Sequence, residues 1–260
     1  MHYHARYPST AFRNTMARRR NSYFECREFR IEQARCAMKV TTDASLLGAW
    51  SPLEQARRVL DIGTGTGLLA LFAAQRCQGL IHAIELDPAA ADEARGNFAA
   101  SPWADRLRLL EGDIRSLPAS RDYDAILCNP PFFSESTRNR CERLAQARHN
   151  DALPLTTLIE AIDGQLSTDG RAWLLLPLPQ CEQLIQALAG TALHARHKLW
   201  VRSSHGDSPH RVILQLEKQP GPCTEQQLSL YTEHPLHSPE AARLFEPYYT
   251  RLKRADEPRN

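Results

Sequence analysis

The segment Asn129-Pro130-Pro131-Phe132 follows the apolar run AILC and combines hydrogen-bond acceptors with a flat ring. The side-chain oxygen of Asn129 and the carbonyl of Pro130 can accept both hydrogens of an amino group whose lone pair is delocalised. When such a nitrogen forms a bond to carbon, positive charge grows on it, so these acceptors bind the transition state more strongly than the ground state. Pro130 and Pro131 fix φ, and Phe132 offers a face for stacking a planar base. The alternative is a strand that ends in prolines, with two aromatic residues packed in the core.

A glycine loop, VLDIGTGTGLLAL, contains Gly63, Gly65 and Gly67 between an apolar run and a helical pattern. Glycine allows a tight turn and close approach of a ligand to the backbone. The spacing G-x-G-x-G differs from the dinucleotide fingerprint G-x-G-x-x-G and from the phosphate loop G-x-x-x-x-G-K-[ST]. No lysine follows the loop to neutralise a phosphate. The loop therefore predicts a nucleoside ligand that lacks a pyrophosphate.

Three acids lie at the ends of successive predicted strands. Asp61 would suit the ammonium of an amino-acid moiety, and Glu85 could accept both hydroxyls of a ribose. Asp113 could accept a hydrogen bond from an adenine amino group, with Ile114 packed on the ring. Acids at strand ends often only cap the helix that follows, and this is the better reading of any one of them alone. Together with the glycines, they indicate a nucleoside site.

Strand and helix patterns alternate from residue 58 onward. Short apolar runs predict strands at RVLDIG, GLIHAIEL, LRLLEGD, YDAILC and RAWLLLP, with helices between them. HARHKLWVRS and HRVILQLEK predict a closing antiparallel pair, and DASLLGAW predicts a helix with Asp43 as its N-cap. Such alternation predicts an α/β fold with a doubly wound, mostly parallel sheet that binds ligands at the carboxyl ends of its strands.

The combined motifs resemble the class I S-adenosylmethionine-dependent methyltransferases over about residues 40–217. The resemblance implies a Rossmann-like, seven-stranded sheet with a C-terminal antiparallel strand, and S-adenosylmethionine as cofactor. It implies that the asparagine tip faces the transferred methyl group. The cofactor-binding set that we expect consists of Lys39, Thr42, Asp43, Asp61, Gly63, Gly65, Gly67, Glu85, Leu86, Asp113, Ile114 and Asn129.

The flanking segments FECREFRIEQARCAMKVTTDASLLGAW, ASPWADRLRLLEGDI, SPHRVIL and FEPYYTRL are similar to the bacterial family that methylates N6 of adenine 37 in tRNA1(Val). This resemblance covers roughly residues 22–255 and implies tRNA as the substrate. It also implies that Lys39, Thr42 and Asp43 form a lid over the cofactor. Ala34 stands where that family usually has an acid, and Phe132–Phe133 replace tyrosines that are common there. The alternatives are a glutamine methyltransferase, another RNA amine methyltransferase, or an inactive RNA chaperone.

Basic residues are concentrated near the N-terminus. Residues 1–40 contain nine Lys and Arg against three acids, a local excess of six positive charges. The sharper interpretation is an arm that contacts a polyanion, and the plainer one is a solvated tail. The substrate-binding candidates that we expect are Phe132, Phe133, Arg148, His149, His210, Arg211, Arg18, Arg19 and Arg20.

Composition restricts the class of protein. The 260 residues suffice for one large α/β domain, which we expect at residues 22–255, after a basic, disordered extension at residues 1–21. Within that domain we expect a lid at 22–50, a core at 51–217 and a C-terminal segment at 218–255. The seven cysteines are scattered without a C-x-x-C pair, which predicts a reducing cytoplasm, no zinc site and no disulfide framework. No apolar run is long enough for a membrane span, and we expect a monomer.

Overall fold

A computed structural model describes residues 22–36, 38–130 and 153–254 of the chain. The strands are β1 (Tyr23–Glu25), β2 (Arg30–Glu32), β3 (Arg58–Ile62), β4 (Leu80–Glu85), β5 (Leu107–Glu111), β6 (Tyr123–Cys128), β7 (Leu166–Leu176), β8 (His194–Arg202), β9 (Arg211–Glu217), β10 (Thr224–Ser229), β11 (Tyr231–Glu233) and β12 (Leu236–His237). The helices are α1 (Thr42–Trp50), α2 (Leu68–Arg76), α3 (Pro88–Ala99), α4 (Leu155–Gln165), α5 (Leu178–Ala187) and α6 (Pro239–Phe245).

In the part of the chain that the structure describes, the central sheet has eight strands in the order β10-β8-β9-β7-β6-β3-β4-β5. Strands β3 to β7 are parallel, and β9 is antiparallel to both β7 and β8. This confirms the mostly parallel, doubly wound sheet and the closing antiparallel pair that the sequence predicts. The seven-stranded estimate was one strand short, because β10 adds to the edge of the sheet parallel to β8. Its TEQQLS sequence has few apolar residues, so its pattern did not predict a strand.

Side chains of each central strand alternate between two apolar layers. Leu60 and Ile62 of β3 face the layer that α4 and α5 cover. Val59 faces the opposite layer, where α1, α2 and α6 pack. Because side chains two residues apart lie on the same face of a strand, Asp61 also faces α2. A carboxylate therefore occupies a position that the strand would otherwise give to an apolar side chain.

The N-terminal hairpin β1–β2 contacts the C-terminal segment. Cys26 and Tyr249 form an antiparallel bridge, and the backbone N–H of Arg27 donates to the carbonyl of Tyr248 at 2.8 Å. The ring of Tyr248 stacks on Phe72 of α2, with the ring centroids 3.8 Å apart. The two ends of the described chain are therefore joined through the core of one layer.

We expected Asp43 to be the N-cap of α1, but the N-cap is Thr41. The Thr41 side chain accepts a hydrogen bond from the N–H of Ala44 at 3.2 Å. Threonine is also a favoured N-cap residue, and the extended backbone of Thr41 suits that position. Asp43 lies in the first turn instead, where a negative charge is favourable at a helix N-terminus.

The contact between α1 and α2 gives a first prediction. A Cβ added to Gly48 would lie 2.8 Å from Cδ2 of Phe72, a ring already stacked on Tyr248. We therefore expect Gly48→Ala to lower the free energy of unfolding by about 1–3 kcal/mol through overpacking. Gly96→Ala in α3 is the control, because nothing lies within 4 Å of its added Cβ and alanine favours a helix. Urea denaturation of both variants measures the difference, and equal stability of the two would contradict the packing.

Candidate active site

The strand register places the tips of β5, β4, β3 and β6 side by side. Ile62 of β3 pairs with Ile84 of β4 and with Cys128 of β6. Neighbouring strands lie about 4.8 Å apart, so the segments that follow these residues emerge at one edge of the sheet. The glycine loop follows Ile62, and Asn129-Pro130 follows Cys128. The Asn129-Pro130 tip, which the sequence predicts to bind the methyl-accepting amine, thus lies beside the predicted nucleoside loop.

The three glycines of the loop adopt positive φ angles of 71° at Gly63, 56° at Gly65 and 88° at Gly67. L-residues rarely adopt this left-handed region. A Cβ at Gly67 would also lie 2.5 Å from the ring of Phe98. By contrast, nothing lies within 4 Å of a Cβ at Gly63. The loop is consequently closed against the protein at Gly67 and open at Gly63.

Asp61 lies beneath the loop and is fully buried. Its Oδ2 accepts hydrogen bonds from the hydroxyl of Thr64 at 2.5 Å and from the N–H of Ala70 at 3.1 Å. Its Oδ1 is buried without a hydrogen-bond partner among the described residues. Burial raises the pKa of Asp61 to about 7, and the nearby charge of Glu85 adds to the effect. These contacts fix the loop to α2. A direct contact with an ammonium group remains a prediction for the unpartnered oxygen.

Glu85, at the end of β4, binds the loop from the side. Its Oε2 accepts from the N–H of Gly65 at 2.8 Å, and its Oε1 accepts from the N–H of Asp87 at 2.9 Å. The carboxylate is partly exposed and therefore remains available to hydroxyl donors. Leu86 beside it is 47% exposed, which is unusual for a leucine and leaves an apolar face at the strand tip.

Asp113 follows β5 and caps a short 3₁₀ turn, Ile114–Ser116, by accepting from the N–H of Arg115 at 2.9 Å. The guanidinium of Arg115 also pairs with this carboxylate and holds the pKa of Asp113 below its usual range. Asp113 therefore has the capping role that the sequence analysis gave as the alternative to binding adenine. Ile114 is buried in the layer under α4 and α5, so little of it is exposed for stacking.

Glu93 of α3 was missed by the sequence analysis. Its carboxylate is buried and accepts two backbone hydrogen bonds, from Arg35 at 2.9 Å and from Cys36 at 2.7 Å. The Sγ atom of Cys36 lies 3.8 Å from the position that a Cβ on Gly65 would occupy. The segment that precedes Ala37 is thereby held over the glycine loop. We call residues 32–36 the strap.

Asn97, one turn after Glu93, joins the strap to the loop. Its Nδ2 donates to the carbonyls of Glu32 and Thr66, both at 2.9 Å, and its Oδ1 accepts from the N–H of Glu32 at 2.9 Å. A signal for both residues was present in the sequence. Ala90, Glu93 and Asn97 follow the i, i+3, i+7 spacing of a buried helix face, where polar side chains require partners.

The structure brings the predicted lid and two predicted substrate residues together. The Oδ1 atom of Asp43 in α1 lies 3.2 Å from Nε2 of His210. Its Oδ2 atom lies 3.8 Å from Nε of Arg211. Arg211 begins β9, at the edge where the parallel strands end. Thr42 begins α1, and Lys39 precedes it in a partly exposed position. Asp43, His210 and Arg211 therefore form one polar cluster.

Several candidates lie outside the described residues. They are Pro131, Phe132, Phe133, Arg148, His149, Arg18, Arg19 and Arg20. Their roles stay predictions.

The chemistry of the described residues fits S-adenosylmethionine. An open glycine cradle at Gly63, an unpartnered carboxylate oxygen on Asp61 and a partly exposed Glu85 match an amino-acid moiety and a ribose. In the described ranges, no cluster of three or more His, Cys, Asp or Glu side chains could hold a metal ion. The helices in these ranges are too short or too polar to cross a membrane.

Comparisons with known proteins identify the family and the fold. The model of the methyltransferase small domain family matches residues 36–174. A tRNA1(Val) (adenine(37)-N6)-methyltransferase from Shewanella sp. (strain MR-4) is 38% identical over 234 residues, which cover 88% of this chain and 99% of that protein. A protein of the same description from Tolumonas auensis is 39% identical over 231 residues, covering 88% and 97%. A solved structure of a predicted O-methyltransferase from Agrobacterium tumefaciens shares the fold, with a TM-score of 0.64 at 17% identity over 79% of this chain and 96% of that one.

The buried carboxyl of Asp61 predicts a specific pH dependence of stability. Because its pKa is raised in the folded state, the folded protein retains a proton that the unfolded chain has already lost. The contribution of Asp61 to stability is therefore fully present below about pH 4 and is lost as the pH rises from there to about 7. Relative to Asp61→Asn, we expect the parent to lose at least about 1 kcal/mol of unfolding free energy between pH 5 and pH 8. Parallel urea titrations test this, and identical pH profiles would contradict it.

The strap gives a second prediction at this site. In Glu93→Gln an amide nitrogen replaces one acceptor and faces a backbone N–H, so we expect the strap to loosen. The dissociation constant of S-adenosylmethionine should rise about tenfold, because charged hydrogen bonds contribute about 1.5–3 kcal/mol each. The matched control is Asp92→Asn on the exposed face of α3, which pairs only with Arg95 in the described structure. Calorimetric titration measures both variants, and an unchanged affinity for Glu93→Gln would exclude the role.

Proposed function

Because the chain belongs to the family of bacterial tRNA1(Val) (adenine(37)-N6)-methyltransferases, we propose that it methylates N6 of adenine 37 in a valine tRNA, with S-adenosylmethionine as the methyl donor. The observation that carries the proposal is the register of β3 and β6. Ile62 pairs with Cys128, so the Asn129-Pro130 tip and the glycine loop emerge as neighbours. An amine held by the tip therefore lies close to a ligand held by the loop.

The chain's residues bind and orient the two reactants. S-adenosylmethionine supplies an electrophilic methyl group when it is bound. Gly63 leaves backbone space for the amino-acid moiety, and Glu85 can exchange its contact with the N–H of Gly65 for ribose hydroxyls. The strap covers the loop through Glu93 and Asn97 and restricts access of water. Each of these contacts favours a single orientation of the donor.

Asn129 and Pro130 would hold the amino group of adenine. Their oxygens accept the two N6 hydrogens, and these hydrogen bonds strengthen as positive charge develops on the nitrogen. Pro130 has a fixed φ, so its carbonyl is positioned before the substrate arrives. The proton leaves after methyl transfer, so no side chain with a shifted pKa is needed as a base. Stacking of the adenine on Phe132, outside the described residues, completes the proposal.

The remaining assignments follow from a tRNA substrate. We propose a cytoplasmic location, because tRNA and the methyl donor S-adenosylmethionine are found there. We also propose that the enzyme is a monomer. The basic residues Arg18, Arg19 and Arg20 would contact phosphates of the tRNA. His210 and Arg211 would do so at the edge of the site, in competition with Asp43, with which both are paired.

Removal of the amide tests the catalytic assignment. We expect Asn129→Ala to lower kcat by about 10²–10³-fold, as is typical when one preorganised hydrogen-bond partner of a transition state is removed. Asn129→Asp keeps an acceptor oxygen and should retain more activity. Transfer of labelled methyl groups to an unmodified valine tRNA transcript measures both variants, and mass spectrometry of nucleosides identifies N6-methyladenosine.

The control substrate is the same transcript with guanosine at position 37, which should accept no label. An Asn129→Ala enzyme as active as the parent would overturn the assignment of Asn129. Labelling of a release factor instead of tRNA by the parent enzyme would overturn the proposed substrate.

A further inference from the structure

A second cleft lies beside the candidate active site, between the N-terminal hairpin, the start of α1 and the C-terminal segment. Its volume is about 320 Å³. The residues that line it are Phe24, Val40, Thr41, Thr42, Tyr231, Pro235, His237, Tyr249, Arg251 and Lys253. We call it the aromatic cleft. None of the sequence motifs for the cofactor or the methyl acceptor includes its C-terminal residues.

Aromatic rings form one wall of the aromatic cleft. The ring centroids of Tyr231 and His237 are 5.1 Å apart, and those of His237 and Tyr249 are 6.3 Å apart. Phe24 packs edge-on against Tyr249 at 5.4 Å. Burial lowers the pKa of His237, which keeps the imidazole neutral, and its Nδ1 has no hydrogen-bond partner in the described structure. The wall therefore combines ring faces with a polar atom that lacks a partner.

Positive charge lies at the rim of the aromatic cleft. Arg251 and Lys253 are exposed, and neither side chain forms an ion pair within the described ranges. Of the nearby acids, Glu246 is paired with Arg254. Rings beside unpaired cations are the arrangement by which proteins bind single-stranded nucleic acids, with bases on the rings and phosphates on the cations.

The aromatic cleft continues the edge of the sheet that holds the candidate active site. Tyr231 follows the end of β10, and its N–H donates to the carbonyl of Ser203, just after β8. Four strand spacings separate β6 from β10, which is roughly 20 Å along the edge. Arg211 lies between them at the start of β9. A strand of RNA whose target base lies at Asn129 can therefore pass Arg211 and reach the aromatic cleft.

We propose that the aromatic cleft binds an unpaired nucleobase of the RNA substrate, a few nucleotides from the target adenine, with its phosphates on Arg251 and Lys253. The proposal rests on the proposed function and names the part of the substrate that this surface recognises. Loop nucleotides suit it, because only unstacked bases expose both faces to aromatic side chains.

The charge component is tested with Arg251→Ala/Lys253→Ala. Each lost phosphate contact should reduce the slope of log affinity against log salt by about 0.7 for single-stranded RNA, so the double variant should lose about 1.4. We expect its KM for tRNA to rise about tenfold while its affinity for S-adenosylmethionine and its kcat at saturating tRNA stay unchanged. The matched control is Arg57→Ala/Arg121→Ala, which removes the same charge from exposed positions at the opposite edge of the sheet.

The stacking component is tested with Tyr231→Leu and Tyr231→Phe. Leucine keeps apolar volume without a ring, so KM for tRNA should rise about tenfold, whereas phenylalanine should restore the parent value. A valine-tRNA anticodon stem-loop with 2-aminopurine at successive loop positions should show quenched fluorescence at one position with the parent and with Tyr231→Phe only.

The outcomes separate this proposal from the proposed function. A parent enzyme that methylates no tRNA contradicts the proposed function, whatever the variants do. An active parent whose double variant keeps the parent salt slope and KM overturns the aromatic cleft as an RNA site. A double variant that changes the sedimentation coefficient of the chain, with RNA affinity intact, assigns the cleft to a second copy and also overturns the proposal.

Discussion

The glycine loop between β3 and α2 is the constraint on which the rest of the site depends. Its backbone is in the left-handed region at three residues, and it is held from three directions. Asp61 binds it from below, Glu85 from the side, and the strap covers it through Glu93 and Asn97. A buried carboxyl is costly unless it is hydrogen-bonded, so the burial of Asp61 is offset only while Thr64 of the loop and Ala70 of α2 keep their positions. The ligand space is in this way built into the folded state.

The fold was predictable because it depends on patterns that a single strand or helix carries. Short apolar runs such as RVLDI and YDAILC are typical of strands buried on both faces, and glycines or prolines mark where they end. Strand β10 was not predictable, since TEQQLS has a single buried residue and is held by pairing with β8. Thr41 was missed as a cap because Asp43, two residues later, is an equally favoured N-cap residue type.

The candidate site was predictable to the extent that its residues follow strands directly. Asp61, Glu85 and Asn129 come at strand ends, and parallel strands bring their ends together whatever the intervening helices contain. The strap could not be predicted without the tertiary structure, because Glu93 lies 57 residues after Cys36, from whose N–H it accepts a hydrogen bond. The aromatic cleft is another such case, since it joins Phe24 to residues after 230. Contacts at this sequence separation leave only a weak trace, such as a polar residue on a buried helix face.

The bridge between Cys26 and Tyr249 has a consequence for biosynthesis. The hairpin that leads into the strap is among the first parts of the described chain to leave the ribosome, yet it pairs with a segment that is among the last. Until Tyr248 reaches Phe72, that hairpin lacks its edge partner and one wall of the core beside α2 is open. The S-adenosylmethionine site is therefore complete only when the chain is complete. We expect nascent or C-terminally truncated molecules to bind S-adenosylmethionine more weakly than the full chain does.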